Sequence, residues 1–255
     1  MPPWLVPWII VAVGVWPLYY LEKWIHKHIQ GLGLLITDDP ATAVLLYYIS
    51  LLPGVVLHEI SQWVLAFLLK VKVKKFRLWP EEQTGGVLRL GLVEIEENID
   101  VIRASLIGLI PLLTGSAVIS LIGSSIIQTE PFIQSFSSGD LGAIWAGFRE
   151  MASTPDFFVW VYLVFAIANA MLPEEHDKIN WLVLGGALGG IAAVFFVLDL
   201  GILVQASLEG FIGRIANWLS MAIVMALAVD IAVAILIALT EEILGRLLKR
   251  EVEYH

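Results

Sequence analysis

Residues 51–69 read LLPGVVLHEISQWVLAFLL, an apolar run interrupted only by His58, Glu59, Ser61 and Gln62. A stretch this hydrophobic is suited to lipid, where a single charged side chain near the centre costs about 3 kcal/mol on insertion scales. An adjacent imidazole and carboxylate therefore need a function or a partner that offsets the cost. His-Glu is the first half of HExxH, in which two histidines four residues apart share a helix face and bind zinc, while the glutamate activates the metal-bound water. Here the segment is HEISQ, with Gln62 in the place of the second histidine. Pro53-Gly54, about one turn before His58, is expected to bend or break the helix, because proline removes a backbone donor and glycine loosens the chain.

The rest of the chain suits that setting. Its 255 residues are 58% hydrophobic and 15% charged, with a mean hydropathy of +0.84, well outside the range of soluble domains. The expected fold is an all-α polytopic membrane protein of about six transmembrane helices, over 4–21, 41–69, 102–127, 156–172, 181–204 and 216–240, since a span needs roughly 20 apolar residues. The first run has a short polar flank and no small-residue cleavage site, and reads as a retained span rather than a signal peptide. Trp4, Trp8, Trp24, Trp79, Trp160 and Trp181 lie near the ends of apolar runs, where tryptophan anchors at the lipid–water interface. A net charge of −9 without a long basic cluster argues against nucleic acid as a partner. The absence of cysteine excludes disulfides and thiolate metal sites, so zinc would need His, Asp, Glu or amide ligands.

Basic residues orient the chain. Lys70, Lys72, Lys74, Lys75, Arg77, Arg89 and Arg103 lie between the second and third spans, and Arg246, Lys249 and Arg250 follow the sixth. The positive-inside tendency assigns both groups to the cytoplasm, which with six crossings puts both termini there. Over 71–100 the pattern changes to alternation, VKVKKFRLW and then VLRLGLVEIEE around PEEQTGG, predicting two or three short strands turned at 81–86. This small cytoplasmic β-strand insert belongs to a single membrane domain spanning 1–255. The lysine-rich stretch 70–77 is suited to acidic membrane lipids.

Three features occur in a telling order: LLPGVVLHEISQ, the strand-rich insert followed by RASLIGLIPLLTGS (103–116), and ANAMLPEEHDKINW (168–181). Together they resemble the site-2 protease family of intramembrane zinc metalloproteases, particularly its small prokaryotic branches, over 51–181. The resemblance implies that His58 is a zinc ligand and Glu59 the general base, and that Asn169, Pro173 and Asp177 match the later Asn-x-x-Pro…Asp pattern, with Asp177 as a further ligand. Gln62 falls where the second ligand histidine stands, and Asp177-Lys178 replaces the usual Asp-Gly. His176, next to Asp177, would supply the missing ligand if an irregular backbone turned both toward one ion. Asn169 would donate to the oxyanion, and the substrate would be a membrane helix of another protein. The resemblance also implies the prokaryotic inner membrane as the location.

Other readings of the same residues stay open. His58, Glu59 and Gln62 can form a buried polar contact between helices, Asn169 a packing hydrogen bond, and His176 an interfacial residue beside Glu174 and Glu175. A catalytically inactive relative would then act as a helix-binding regulator or as a structural subunit of a larger membrane complex. Asp230, alone in MALAVDIAVAILIAL, is expected to protonate or to find a partner such as Asn217 or a polar group on a neighbouring helix. A transporter or proton-conducting subunit using Asp230 is a third class, disfavoured by the lack of an internal repeat. His26 and His28, beside Lys23 and Lys27, read as solvated interface residues, or as residues touching a cofactor if the protein sits in a redox complex.

Overall fold

The computed structural model describes residues 5–77, 81–82, 88–89, 92–96, 99–137, 139–173 and 210–248. They are mostly helical: α1 (Leu5–Thr37), α2 (Pro40–Leu68), α3 (Val101–Leu121) continued by a π-helix (Ile122–Ile127), α4 (Glu130–Ser137), α5 (Leu141–Ala152), α6 (Phe157–Met171) and α7 (Phe211–Leu248). Four of these, Leu5–Thr37, Pro40–Leu68, Val101–Ile127 and Gly213–Leu248, are long and apolar enough to cross a membrane. The pair α5 and α6, bent by 92° at its break, makes a fifth if it counts as one broken span. The expected span 181–204 lies outside the described residues.

Local chemistry explains the boundaries. α1 was expected to end near residue 21 but continues to Thr37, because nothing in its second half stops a helix until the Thr37-Asp38-Asp39-Pro40 junction. There Asp38 takes a left-handed conformation (φ 56°). Asp39 caps α2: its Oδ2 accepts from the Thr42 backbone N–H (2.9 Å) and hydroxyl (2.6 Å), with Pro40 at the first helical position. The Thr42 hydroxyl, with help from its backbone N–H, holds the Asp39 carboxyl below the ordinary aspartate range. α6 stops at Met171 because Leu172 precedes Pro173 and is pushed into extended backbone (ψ 145°). Its 15 residues cover only about 22 Å.

Pro53-Gly54, expected to bend or break the helix, does not break it: α2 runs through both residues. Pro53 cannot donate to the Ile49 carbonyl, and α6 supplies the missing donor: the Tyr162 hydroxyl reaches Ile49 O at 3.2 Å. One turn on, Gly54 lies against the backbone of Ala166. A Cβ at Gly54 would clash with Ala166 O, sit 2.6 Å from Ala166 C and 2.8 Å from Ala170 Cβ. Neighbouring-helix contacts thus replace what proline removes. Tyr162→Phe is expected to lower stability by about 1 kcal/mol, read as an earlier unfolding midpoint in mixed detergent micelles, while Tyr162→Phe in a Pro53→Ala background should cost little.

The helices have definite relative directions. Gly33 touches Ala43 across the α1–α2 turn, so these two are antiparallel. Ile49 and Gly54 of α2 meet Tyr162 and Ala166 of α6 in increasing order, so α2 and α6 are parallel. Gly14 lies against Ile223, and the His28 ring faces Glu241 at 4.0 Å, so α1 and α7 are parallel as well. The C-terminal end of α7, with Arg246, therefore shares one end of the bundle with Thr37, while the strand insert between α2 and α3 lies at the other. Of the second basic group that the charge pattern assigned to the same face as the insert, the described member Arg246 lies at the opposite end of the bundle from Lys70–Lys75. Since the chain has no cysteine, single-cysteine variants test this directly in sealed vesicles. An impermeant maleimide is expected to label Ala41→Cys and Arg246→Cys from one side and Lys74→Cys from the other.

Among its described residues the insert has four short strands in two antiparallel pairs: β1 (Val73–Arg77) with β4 (Leu92–Ile95), and β2 (Glu81–Glu82) with β3 (Leu88–Arg89). The turn expected at 81–86 falls largely outside the described residues; Glu81 and Glu82 themselves form β2. The register slips between Val73 and Lys75, and Lys75 then pairs with Glu94 both by register and by charge (3.6 Å). Trp63 of α2, stacked on Phe67 and 6.0 Å from the ring of Phe76, joins the first pair to the helix end. The helical core divides into one cluster around Leu18, Ile119, Val164, Met171 and Ile223 and another around Ile25, Tyr48, Leu51, Phe165 and Ile237.

Candidate functional site

A helical spacing of four places His58 and Gln62 on one face of α2. His58, Glu59, Ser61 and Gln62 are all buried. The His58 ring is held at both nitrogens. Nδ1 is 2.6 Å from the Ala170 carbonyl; a carbonyl only accepts, so Nδ1 carries the hydrogen. Nε2 lies 3.1 Å from the Gln62 side-chain nitrogen and accepts from that amide.

These contacts follow from how α6 ends. The last carbonyls of a helix have no partner within it, and Pro173 prevents the chain from continuing to supply one. Two imidazoles from other helices fill the need: His58 of α2 at Ala170 O, and His26 of α1, whose Nε2 lies 3.0 Å from Asn169 O. Donors at this negative end of the helix are favourably placed. His26 thus differs from its expected role as a solvated residue. The continuation of α1 to Thr37 carries it along the bundle, where its ring packs edge-on to Tyr47 at 5.5 Å.

Asn169 turns its side chain the other way, toward α7. Its Nδ2 donates to Asp230 Oδ1 at 2.8 Å and to the Phe165 carbonyl at 3.0 Å, so both amide hydrogens are engaged within the bundle. Asn169 is 2% exposed and Asp230 is 0% exposed. Of the two kinds of partner expected for Asp230, Asn217 is exposed and lies roughly 20 Å away along the same helix, whereas the polar group on a neighbouring helix is Asn169. The distance between Asn169 and Asp230 in sequence hid their pairing; an isolated amide and an isolated acid in two separate apolar runs were its only signal.

The structure therefore brings HEISQ of α2 together with the Asn169-Ala170 end of α6, and His58 touches a residue seven positions before Asp177. His176 and Asp177 themselves lie outside the described residues. Among the described residues, no group of three His, Cys, Asp or Glu side chains is arranged to hold a metal ion. The donor set at HEISQ does not fit zinc by itself. His58 Nε2 is its one imidazole donor, and its lone pair faces an amide N–H. Zinc sites use three or four strong donors, and a neutral amide is a poor substitute for imidazole. Comparison with protein-family models, with curated proteins and with solved structures finds no match.

Proposed function

We propose that the chain is an integral membrane protein related to the site-2 proteases in which HEISQ fastens helices rather than cutting peptide bonds, and that it acts as a helix-binding regulator or structural subunit of a membrane complex. The observation that carries this reading is the double engagement of His58, with Nδ1 on the α6 carbonyl of Ala170 and Nε2 on Gln62. The His58 Nε2 lone pair, which would bind the metal in an HExxH site, is engaged by the amide of the residue that stands in place of the second histidine. Removing His58 leaves a buried carbonyl without its donor, so His58→Ala should cost about 1–3 kcal/mol of stability while leaving metal content unchanged. Zinc measured on the purified protein should be well below one ion per chain, and Gln62→His should raise it. A stoichiometric partner that co-purifies from native membranes and survives Glu59→Ala supports the subunit role.

A hydrolytic reading keeps one specific observation in its favour. An Nδ1–H anchored on a carbonyl is also how metal-binding histidines are oriented, and Glu59 is buried beside His58. That reading requires His176 and Asp177 to join His58 at one ion, with Glu59 as the base and a membrane helix as substrate. Near-stoichiometric zinc lost in both His58→Ala and His176→Ala would establish it and overturn the first.

For orientation, the insert end carries the larger basic group, including Lys70, Lys72, Lys74, Lys75 and Arg103, and the positive-inside tendency assigns that end to the cytoplasm of a prokaryotic inner membrane. The parallel course of α1 and α7 then puts the N-terminal end of α1 inside and Arg246 outside, instead of both termini inside. Acidic lipids are the natural contacts of exposed Lys72, Lys74 and Lys75.

A further inference from the structure

Asp230 lies midway along α7, the only charged residue between Arg214 and Glu241, and it is fully buried. Its Oδ1 accepts from Asn169, but its Oδ2 has no hydrogen-bond partner among the described residues, and neither has the side-chain oxygen of the same Asn169. Two buried acceptors on two residues that already touch are an unusual coincidence, because nearly all buried polar atoms are paired. Both oxygens are acceptors as long as the carboxyl is ionised, so neither can satisfy the other. One proton changes that. A protonated carboxyl has an O–H donor, and an acid facing an amide closes a ring of two hydrogen bonds, N–H to one carboxyl oxygen and O–H to the amide oxygen.

We propose that Asp230 and Asn169 form a proton-binding site in the centre of the bundle, in which Asp230 Oδ2–H donates to Asn169 Oδ1 while Asn169 Nδ2–H donates to Asp230 Oδ1. The carboxylate takes one proton from water and becomes a neutral acid. This removes an isolated charge from an apolar environment and satisfies both orphaned oxygens together. Among the described residues, the surroundings offer donors to the Asn169 backbone rather than a counter-charge to Asp230. His26 of α1 is directed at the Asn169 carbonyl and His58 of α2 at the Ala170 carbonyl, Glu22 of α1 and Glu59 of α2 are further acids, α6 adds only the Tyr162 phenol, and the buried polar side chains of α3 are Ser105, Ser116 and Ser120. The site is independent of whether HEISQ binds zinc.

Infrared difference spectroscopy on the full chain in lipid nanodiscs tests it. At neutral pH, the spectrum of the protein minus that of Asp230→Asn is expected to show the carbonyl stretch of a protonated carboxylic acid, shifted down in heavy water. Asp230→Asn keeps a two-bond amide–amide ring and should fold with an unchanged circular dichroism spectrum. In Asn169→Leu the band should persist but move to higher frequency, as the acid loses its hydrogen-bonded partner. Carboxylate bands in place of the acid band would overturn the proposal. An acid band that Asn169→Leu leaves unmoved would overturn the ring.

Discussion

Among the described residues, Gly54→Ala is expected to be the most damaging single-methyl substitution, costing about 3 kcal/mol or more. In an exposed helix the same change would help, since alanine exceeds glycine in helix propensity by about 1 kcal/mol. Here the new methyl meets backbone, the carbonyl of Ala166, with Ala170 Cβ 2.8 Å away. Backbone cannot turn aside as a long side chain can. Gly123 makes the comparison: a Cβ there would meet the Met225 Sδ first, with the next contacts at 3.0 Å to the methyls of Met221 and Met225. Both methionines are flexible, so Gly123→Ala should be clearly milder. Unfolding midpoints in mixed micelles check the ordering, and equal losses for the two variants would show that α2 and α6 are less closely seated than described.

Asn169→Leu should be nearly as severe, by about 2–3 kcal/mol, because it strips Asp230 of the donor it has at 2.8 Å while leaving the acid buried. The double variant Asn169→Leu, Asp230→Leu is expected to recover most of the loss, since replacing both members of a buried polar pair with apolar groups is often close to neutral. The coupling energy from that cycle should lie in the range of about 1–3 kcal/mol typical of residues in contact. If Asn169→Leu costs as much in an Asp230→Leu background as in the native chain, the two residues are not partners. A protonated Asp230 places the single-variant loss toward the lower end of the range, because an orphaned neutral acid is cheaper to bury than an orphaned carboxylate.

Composition and hydropathy made the helical, membrane-suited character of the chain legible, and alternation revealed the strands around residues 73–95. The family resemblance implied that HEISQ would converge with Asp177; His58 does reach Ala170, while Asp177 lies outside the described residues. What the sequence concealed was mostly set by neighbours. Pro53-Gly54 reads as a break because a helix in isolation lacks the Ile49 donor and exposes glycine; the tyrosine and alanine that compensate are more than 100 positions away. Asp230 carried no mark of its partner for the same reason. The positive-inside tendency assigned both basic groups to one face, and an assumed six crossings then put both termini there; one crossing more or fewer breaks that agreement. The directions of α1 and α7 come from side-by-side contacts and are free of that arithmetic.

Along α2 and α6, the phenol on the Ile49 carbonyl, the bare backbone at Gly54 and the imidazole on the Ala170 carbonyl recur about once per helical turn. Sliding one helix past the other by a turn would undo all three at once, so this flank behaves like a latched door rather than a lateral gate.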